Sequence, residues 1–210
     1  MTPWPFLVAG GVAASANWWA KAAQRSTLET IAKPLATVGA IAVAATSGGE
    51  RAVVAWCVAA LVLCLAGDVA LLPAVDRFIV GLGAFAVGHL LFAVMFIIGG
   101  LHRWPLAGSA LVACALLAGT AGVVIMRGAK ARRLLRPVQV YLAVISAMAV
   151  VAWATGRAAA MLGSASFVIS DALLGWREFA ARQPSRRLAV AVMVTYHVAI
   201  FGLALYPRWA

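Results

Sequence analysis

Acidic residues are almost missing from this chain. Six Asp and Glu occur in 210 residues, against seventeen Lys and Arg, and charged residues make up 11% of the sequence. A soluble domain carries about 25%. With 65% of its residues hydrophobic, the chain lacks the polar surface to cover itself in water. That excludes an ordinary soluble enzyme and leaves lipid as the solvent. Cysteine is scarce too. Cys57, Cys64 and Cys114 lie inside apolar runs, with no Cys-x-x-Cys and no zinc-type histidine spacing, so they read as small buried hydrophobes. A net charge of +11 does not point to nucleic acid. The basic residues sit in short segments between apolar runs, not among aromatics on a polar patch. No Lys or Arg precedes the first apolar run. Ala14-Ser15-Ala16 resembles a cleavage site, but without that cation the segment reads as an uncleaved first helix.

What the chain has in quantity is apolar sequence cut to bilayer length. Eight runs of about 20 residues cover 4–20, 28–46, 52–72, 78–98, 104–126, 135–155, 158–176 and 188–206. The expected fold is all-α, a single integral-membrane domain of eight transmembrane helices joined by short antiparallel connections. Lys33 and Pro34 interrupt the second run. Trp18, Trp19, Trp104, Trp176 and Tyr206 fall near run ends, where aromatic belts form.

Thirteen cations belong to the connections after runs one, three, five and seven and to their flanks: Lys21, Arg25, Lys33, Arg77, Arg127, Lys130, Arg132, Arg133, Arg136, Arg177, Arg182, Arg186 and Arg187. The other side holds Arg51, Arg103, Arg157 and Arg208. The bias places the first set in the cytoplasm and both termini outside. The Ala-rich, Arg-rich composition suggests a bacterial inner membrane. Gly67-Asp68-Val69-Ala70-Leu71-Leu72 ends run three and Ser170-Asp171-Ala172-Leu173-Leu174 lies near the end of run seven. Each is followed by a run with a midway histidine, His89 or His197. Two parallel four-helix repeats would produce this pattern.

An ionisable group in mid-membrane costs on the order of 2.5–3.5 kcal/mol and usually faces an interior cavity. Four of the six acids lie at or near run ends; Asp68 and Asp171 lie inside runs, about 6–8 Å from the same boundary at 1.5 Å per residue. Asn17, Lys33, Gln139, Tyr141 and Ser170 share that half of the membrane, and His89, Tyr196 and His197 lie deeper. One polar cavity, open toward the cytoplasmic leaflet, would account for them all. The bland alternatives stay open: Asp68 pairs with Lys33 and locks two helices, Arg177 snorkels back to Asp171, and each histidine is a satisfied core residue.

These residues resemble a known pattern. Lys33-Pro34, Gly67-Asp68-Val69-Ala70-Leu71, Phe78-x-x-Gly81-Leu82-x-x-Phe85-x-x-x-His89, Tyr141 with Met148, Gly163-x-x-x-Phe167-x-x-Ser170-Asp171 and Thr195-Tyr196 appear in the order seen in the YhhN family of membrane lysoplasmalogenases. They span roughly residues 30 to 200. The chain departs from that pattern at Phe92, often Tyr in the family, and at His197 and Ile200, where Tyr and Gln are usual. The resemblance implies a hydrolase of the lysoplasmalogen vinyl ether, releasing a fatty aldehyde and a glycerophospho-headgroup. It implies no cofactor or metal. The partners would be a lysophospholipid substrate and the bilayer. Asp68 and Asp171 look similar to the family's proposed catalytic pair.

The chemistry suits them. A vinyl ether hydrolyses after a proton reaches its outer alkene carbon, and the oxocarbenium ion then takes up water. Free aspartic acid, with a pKa of about 3.9, is not protonated near neutral pH. Two carboxyls in one dry cavity divide into acid and base, as at glycosidase sites with their similar transition state. Lys33 favours the ionised form of Asp68, which leaves Asp171 as the donor. Lys33, His89, Tyr141, Ser170 and Tyr196 would orient water or substrate. Three other classes compete. A proton-coupled transporter also uses buried Asp and His. A zinc lipid hydrolase would use Asp68, His89 and His197. A non-catalytic scaffold would use none of them.

Overall fold

The structure, a computed structural model, describes residues 2–183 and 185–210. Among the described residues the chain forms eight long helices: α1 Trp4–Ala23, α2 Ser26–Ala45, α3 Arg51–Ala70, α4 Phe78–Ile98, α5 Trp104–Ala131, α6 Leu135–Ala154, α7 Ala158–Phe179 and α8 Arg186–Leu205. A 3₁₀ turn, Tyr206–Trp209, follows α8. Seven of the eight, α2 to α8, are long and apolar enough to cross a bilayer. The chain is therefore a multi-pass integral membrane protein. The sequence reading gave eight spans. α1 is helical as expected but is not among the seven, since Asn17, Lys21, one proline and three tryptophans dilute its apolar content.

The helix ends depart from the run ends by up to five residues, and two differences bear on the site. Lys33-Pro34 does not interrupt α2, which runs unbroken through Pro34. In a low-dielectric setting a helix that broke would expose further unpaired backbone groups. Helix α7 continues past Trp176 to Phe179. Asp171 therefore lies eight residues, about 12 Å, inside its helix end, whereas Asp68 lies two residues, about 3 Å, inside that of α3. The equal depths expected from the run ends are not depths below the helix ends.

The helices close a ring. α1 packs on α2, α2 on α3, α3 on α4, α4 on α6, α6 on α7, α7 on α8, and α8 returns to α1 while also touching α2 and α3. Helix α5 sits outside, against α6 and α7. Only 17% of its apolar window is buried, against 28–44% for the other six, so most of its surface faces lipid. A π-helical segment, Ala118–Gly122, interrupts it. Several neighbour relations recur after a shift of four helices: α1 on α2 and α5 on α6, α3 on α4 and α7 on α8, α2 on α8 and α6 on α4.

Small residues set the closest approaches. A Cβ on Gly67 would sit 2.6 Å from the Phe85 ring, so α3 and α4 meet at a distance that only glycine allows there. The core between helices is rich in Ala, with Cys57, Cys64, Phe92, Phe96 and Phe167 filling the wider gaps. Val, Ile and Leu such as Val8, Ile31, Leu90, Leu116 and Leu162 point outward, as expected where lipid replaces water.

Candidate active site

The polar residues inside the bundle form two sets. The first is centred on Asp68, which is fully buried near the end of α3. On α2, Lys33 and Thr37 are four residues apart, so they lie on one face, and that face meets Asp68. Thr37 donates to Asp68 Oδ2 at 2.5 Å and Tyr196 of α8 donates to the same oxygen at 2.7 Å. The Lys33 ammonium lies 3.3 Å from Oδ1 and donates to the Asp68 backbone carbonyl at 3.3 Å. Three helices thus converge on one carboxylate. Such a buried ion pair holds a geometry firmly, because removing one partner leaves an unpaired charge.

The second set is centred on Asp171 of α7. Tyr141 of α6 donates a short hydrogen bond to its Oδ2. No other side chain bonds this carboxyl among the described residues. Asp171 is only partly buried, and it lines two cavities of about 40 Å³ each. One lies toward α4, beside Phe78 and Phe85; the other lies toward the π segment of α5, beside Cys114 and Ala118. Ile125 and Leu142 line both. Each is large enough for a water or two.

Between the sets stands an aromatic wall. The His89 ring packs edge-on against Phe167 at 4.4 Å and against Tyr141 at 5.6 Å. Phe167 in turn packs on Tyr196 at 5.6 Å, and Phe85 packs on Tyr196 at 5.8 Å. The tyrosine hydroxyls point to opposite aspartates while their rings meet the same partition. His89 is fully buried and neither ring nitrogen has a partner among the described residues.

The single polar cavity expected from the sequence is therefore not what the chain builds. The structure brings together Lys33, Asp68 and Tyr196, and separately Tyr141 and Asp171, with His89 between. Ser170 turns away from both carboxylates, donating to the Val192 backbone carbonyl at 3.0 Å and tying α7 to α8. Gln139 is exposed. Arg177 does not reach back to Asp171; it forks onto Glu178 at 2.8 and 3.0 Å. His197 accepts from the Trp18 indole at 2.8 Å, so its Nδ1 carries no proton. It does not join Asp68 and His89: among the described residues no three His, Cys, Asp or Glu side chains converge as metal ligands would. The geometry that a zinc hydrolase needs is not formed. Asn17 is fully buried, and its amide has no partner among the described residues. Sequence reasoning missed Thr37. Its position, one helical turn beyond Lys33, was the available signal.

At the end of the bundle that carries the basic connections, a cavity of about 800 Å³ opens between α1, α2, α7, α8 and Arg132. Lys21, Glu29, Arg132, Arg177, Glu178, Arg182 and Arg186 supply its charges. Lys21 and Glu29 pair at 2.5 Å. The lining includes neither aspartate.

Compared with known proteins, the chain matches no curated protein and no solved structure. A family model does match it over residues 28–206, which takes in α3 to α8, nearly all of α2, and every residue of both carboxylate sets. The chain belongs to the YhhN family.

Proposed function

We propose that this chain is a membrane lysoplasmalogenase, hydrolysing the vinyl ether of a single-chain lipid with Asp171 as the acid. The observation that carries the reading is the asymmetry between the two carboxylates. Asp68 has a cation and two hydroxyl donors fixed on it, an arrangement that favours the ionised form. Among the described residues Asp171 has one phenol on it and no cation, with cavities beside it in an apolar setting. Membership of a family that includes hydrolases agrees with it.

In this reading the proton of Asp171 adds to the outer alkene carbon, and the enol ether becomes an oxocarbenium ion. Tyr141 holds the carboxylate left behind. A water beside Asp171 adds to the cationic carbon and returns a proton to the carboxylate. The hemiacetal collapses to a fatty aldehyde and frees the glycerol hydroxyl. Asp68 supplies a fixed negative charge and, with Lys33, Thr37 and Tyr196, holds the far side of the aromatic wall. His89 offers from the wall two nitrogens that have no partner among the described residues. The thirteen-to-four cation bias favours an orientation with the basic end in the cytoplasm of a bacterial inner membrane and both termini outside.

The test is aldehyde release from a lysoplasmalogen by the purified chain in detergent, beside Asp171→Asn and Asp68→Asn. The expected result is turnover by wild type and loss of at least about 100-fold in Asp171→Asn, with both variants still folded. Full activity in Asp171→Asn would overturn the mechanism. An inert wild type that carries protons in liposomes would favour transport.

A further inference from the structure

The cavity at the basic end is a built recess, not merely a charged rim. Five cations and two acids line about 800 Å³, so an excess of three positive charges faces one space. Part of the positive charge is already matched: Lys21 sits on Glu29 and Arg177 on Glu178. Arg182 and Arg186 make no ion pair among the described residues, and Arg132 has only the Phe179 ring, 5.7 Å from its guanidinium carbon. These three guanidiniums come from three different places: the end of α5, the connection before α8, and the first residue of α8. Their convergence does not follow from the spacing along any one helix. Guanidinium forks match phosphate oxygens bidentately, as they do carboxylates.

The position of the recess fits a lipid. Arg177 stands six residues beyond Asp171 on α7, a rise of about 9 Å. In a glycerophospholipid with one alkenyl chain, about seven bonds separate phosphorus from the outer vinyl carbon, roughly 9 Å when extended. A phosphate in the recess at the level of Arg177, which shares its lining, would therefore place the vinyl ether level with Asp171.

We propose that this recess binds the phosphate of a single-chain phospholipid headgroup, through Arg132, Arg182 and Arg186. The proposal deepens the lysoplasmalogenase reading and rests on it for the choice of lipid. The test is binding, which does not need turnover. The probes are an unreactive alkyl-ether lysophospholipid and inorganic phosphate. Both are added to the full chain in neutral detergent below the lipid's own micelle concentration, and the thermal midpoint is followed. The lipid raises the midpoint of wild type, and Arg132→Gln/Arg182→Gln/Arg186→Gln weakens its binding by at least about tenfold, roughly the loss of one charge-assisted contact. Arg51→Gln, at the opposite end, binds as wild type does. Wild-type affinity in the triple variant, or no binding by wild type, overturns the proposal. Tighter binding of inorganic phosphate than of the lipid assigns the recess to free phosphate and overturns the headgroup assignment. Binding lost in the triple variant, in a wild type that releases no aldehyde, leaves the recess standing and removes the enzyme reading alone.

Discussion

Replacing Lys33 by Met removes the ammonium and keeps most of the side chain's bulk. Asp68 then keeps the hydroxyls of Thr37 and Tyr196 but loses its counter-charge, in a site with no solvent exposure. At 3.3 Å and an effective dielectric of about 20, the lost attraction is about 5 kcal/mol. Breaking buried pairs by removing one partner costs about 3–5 kcal/mol. For a chain of this length each kcal/mol moves the thermal midpoint by about 2–4 °C, so the expected fall is about 6–20 °C. Circular dichroism of the purified protein in detergent measures it. The double variant Lys33→Met/Asp68→Asn removes both charges, and its amide oxygen still accepts from Thr37 and Tyr196. It should recover at least about half of the loss, a coupling of about 2 kcal/mol or more. A Lys33→Met midpoint within about 2 °C of wild type, or a double variant whose loss is the sum of the two singles, would refute the reasoning.

Three further outcomes follow from the geometry. Tyr141→Phe removes the one side-chain donor to Asp171 among the described residues and should lower kcat for aldehyde release by about tenfold or more, with KM little changed; an unchanged kcat removes Tyr141 from the site. Gly67→Ala drives a methyl into the Phe85 ring and should destabilise by about 1–3 kcal/mol, and adding Phe85→Leu should recover part of this in the same thermal assay. Ser170→Ala loses one α7 to α8 hydrogen bond and should cost about 1 kcal/mol with aldehyde release retained, since the hydroxyl bonds Val192 and not a carboxylate.

Much of the architecture was legible because a bilayer imposes a length. Apolar runs of about 20 residues gave every helix, with ends that depart by up to five residues. Run one reads as an eighth span in the sequence; it is a helix, but one that falls short of the apolar content of the other seven, and its buried Asn17 faces inward. The site was legible in its members and not in its arrangement. Asp68 and Lys33 were readable as a pair, since both were charges in apolar sequence. Nothing in the sequence announces that Phe167 and His89 would stand between the two aspartates, because ring packing depends on which helices are neighbours. The same holds for Ser170. Its place beside Asp171 suggested a shared role, but adjacent helical residues point about 100° apart, and its hydroxyl went to α8. The recess at the basic end was visible only as scattered arginines.

The aromatic wall has a bioenergetic consequence. A water-filled cavity joining two acids inside a membrane would be a ready conductor of protons, and buried Asp, Glu and His chains serve that purpose in pumps. Here each tyrosine spends its hydroxyl proton on its own aspartate, and between them lie phenyl and imidazole edges that make no hydrogen bonds among the described residues. Among the described residues no chain of side-chain hydrogen bonds joins the two acids. A proton relay between them, of the kind a pump needs, would have to pass this wall.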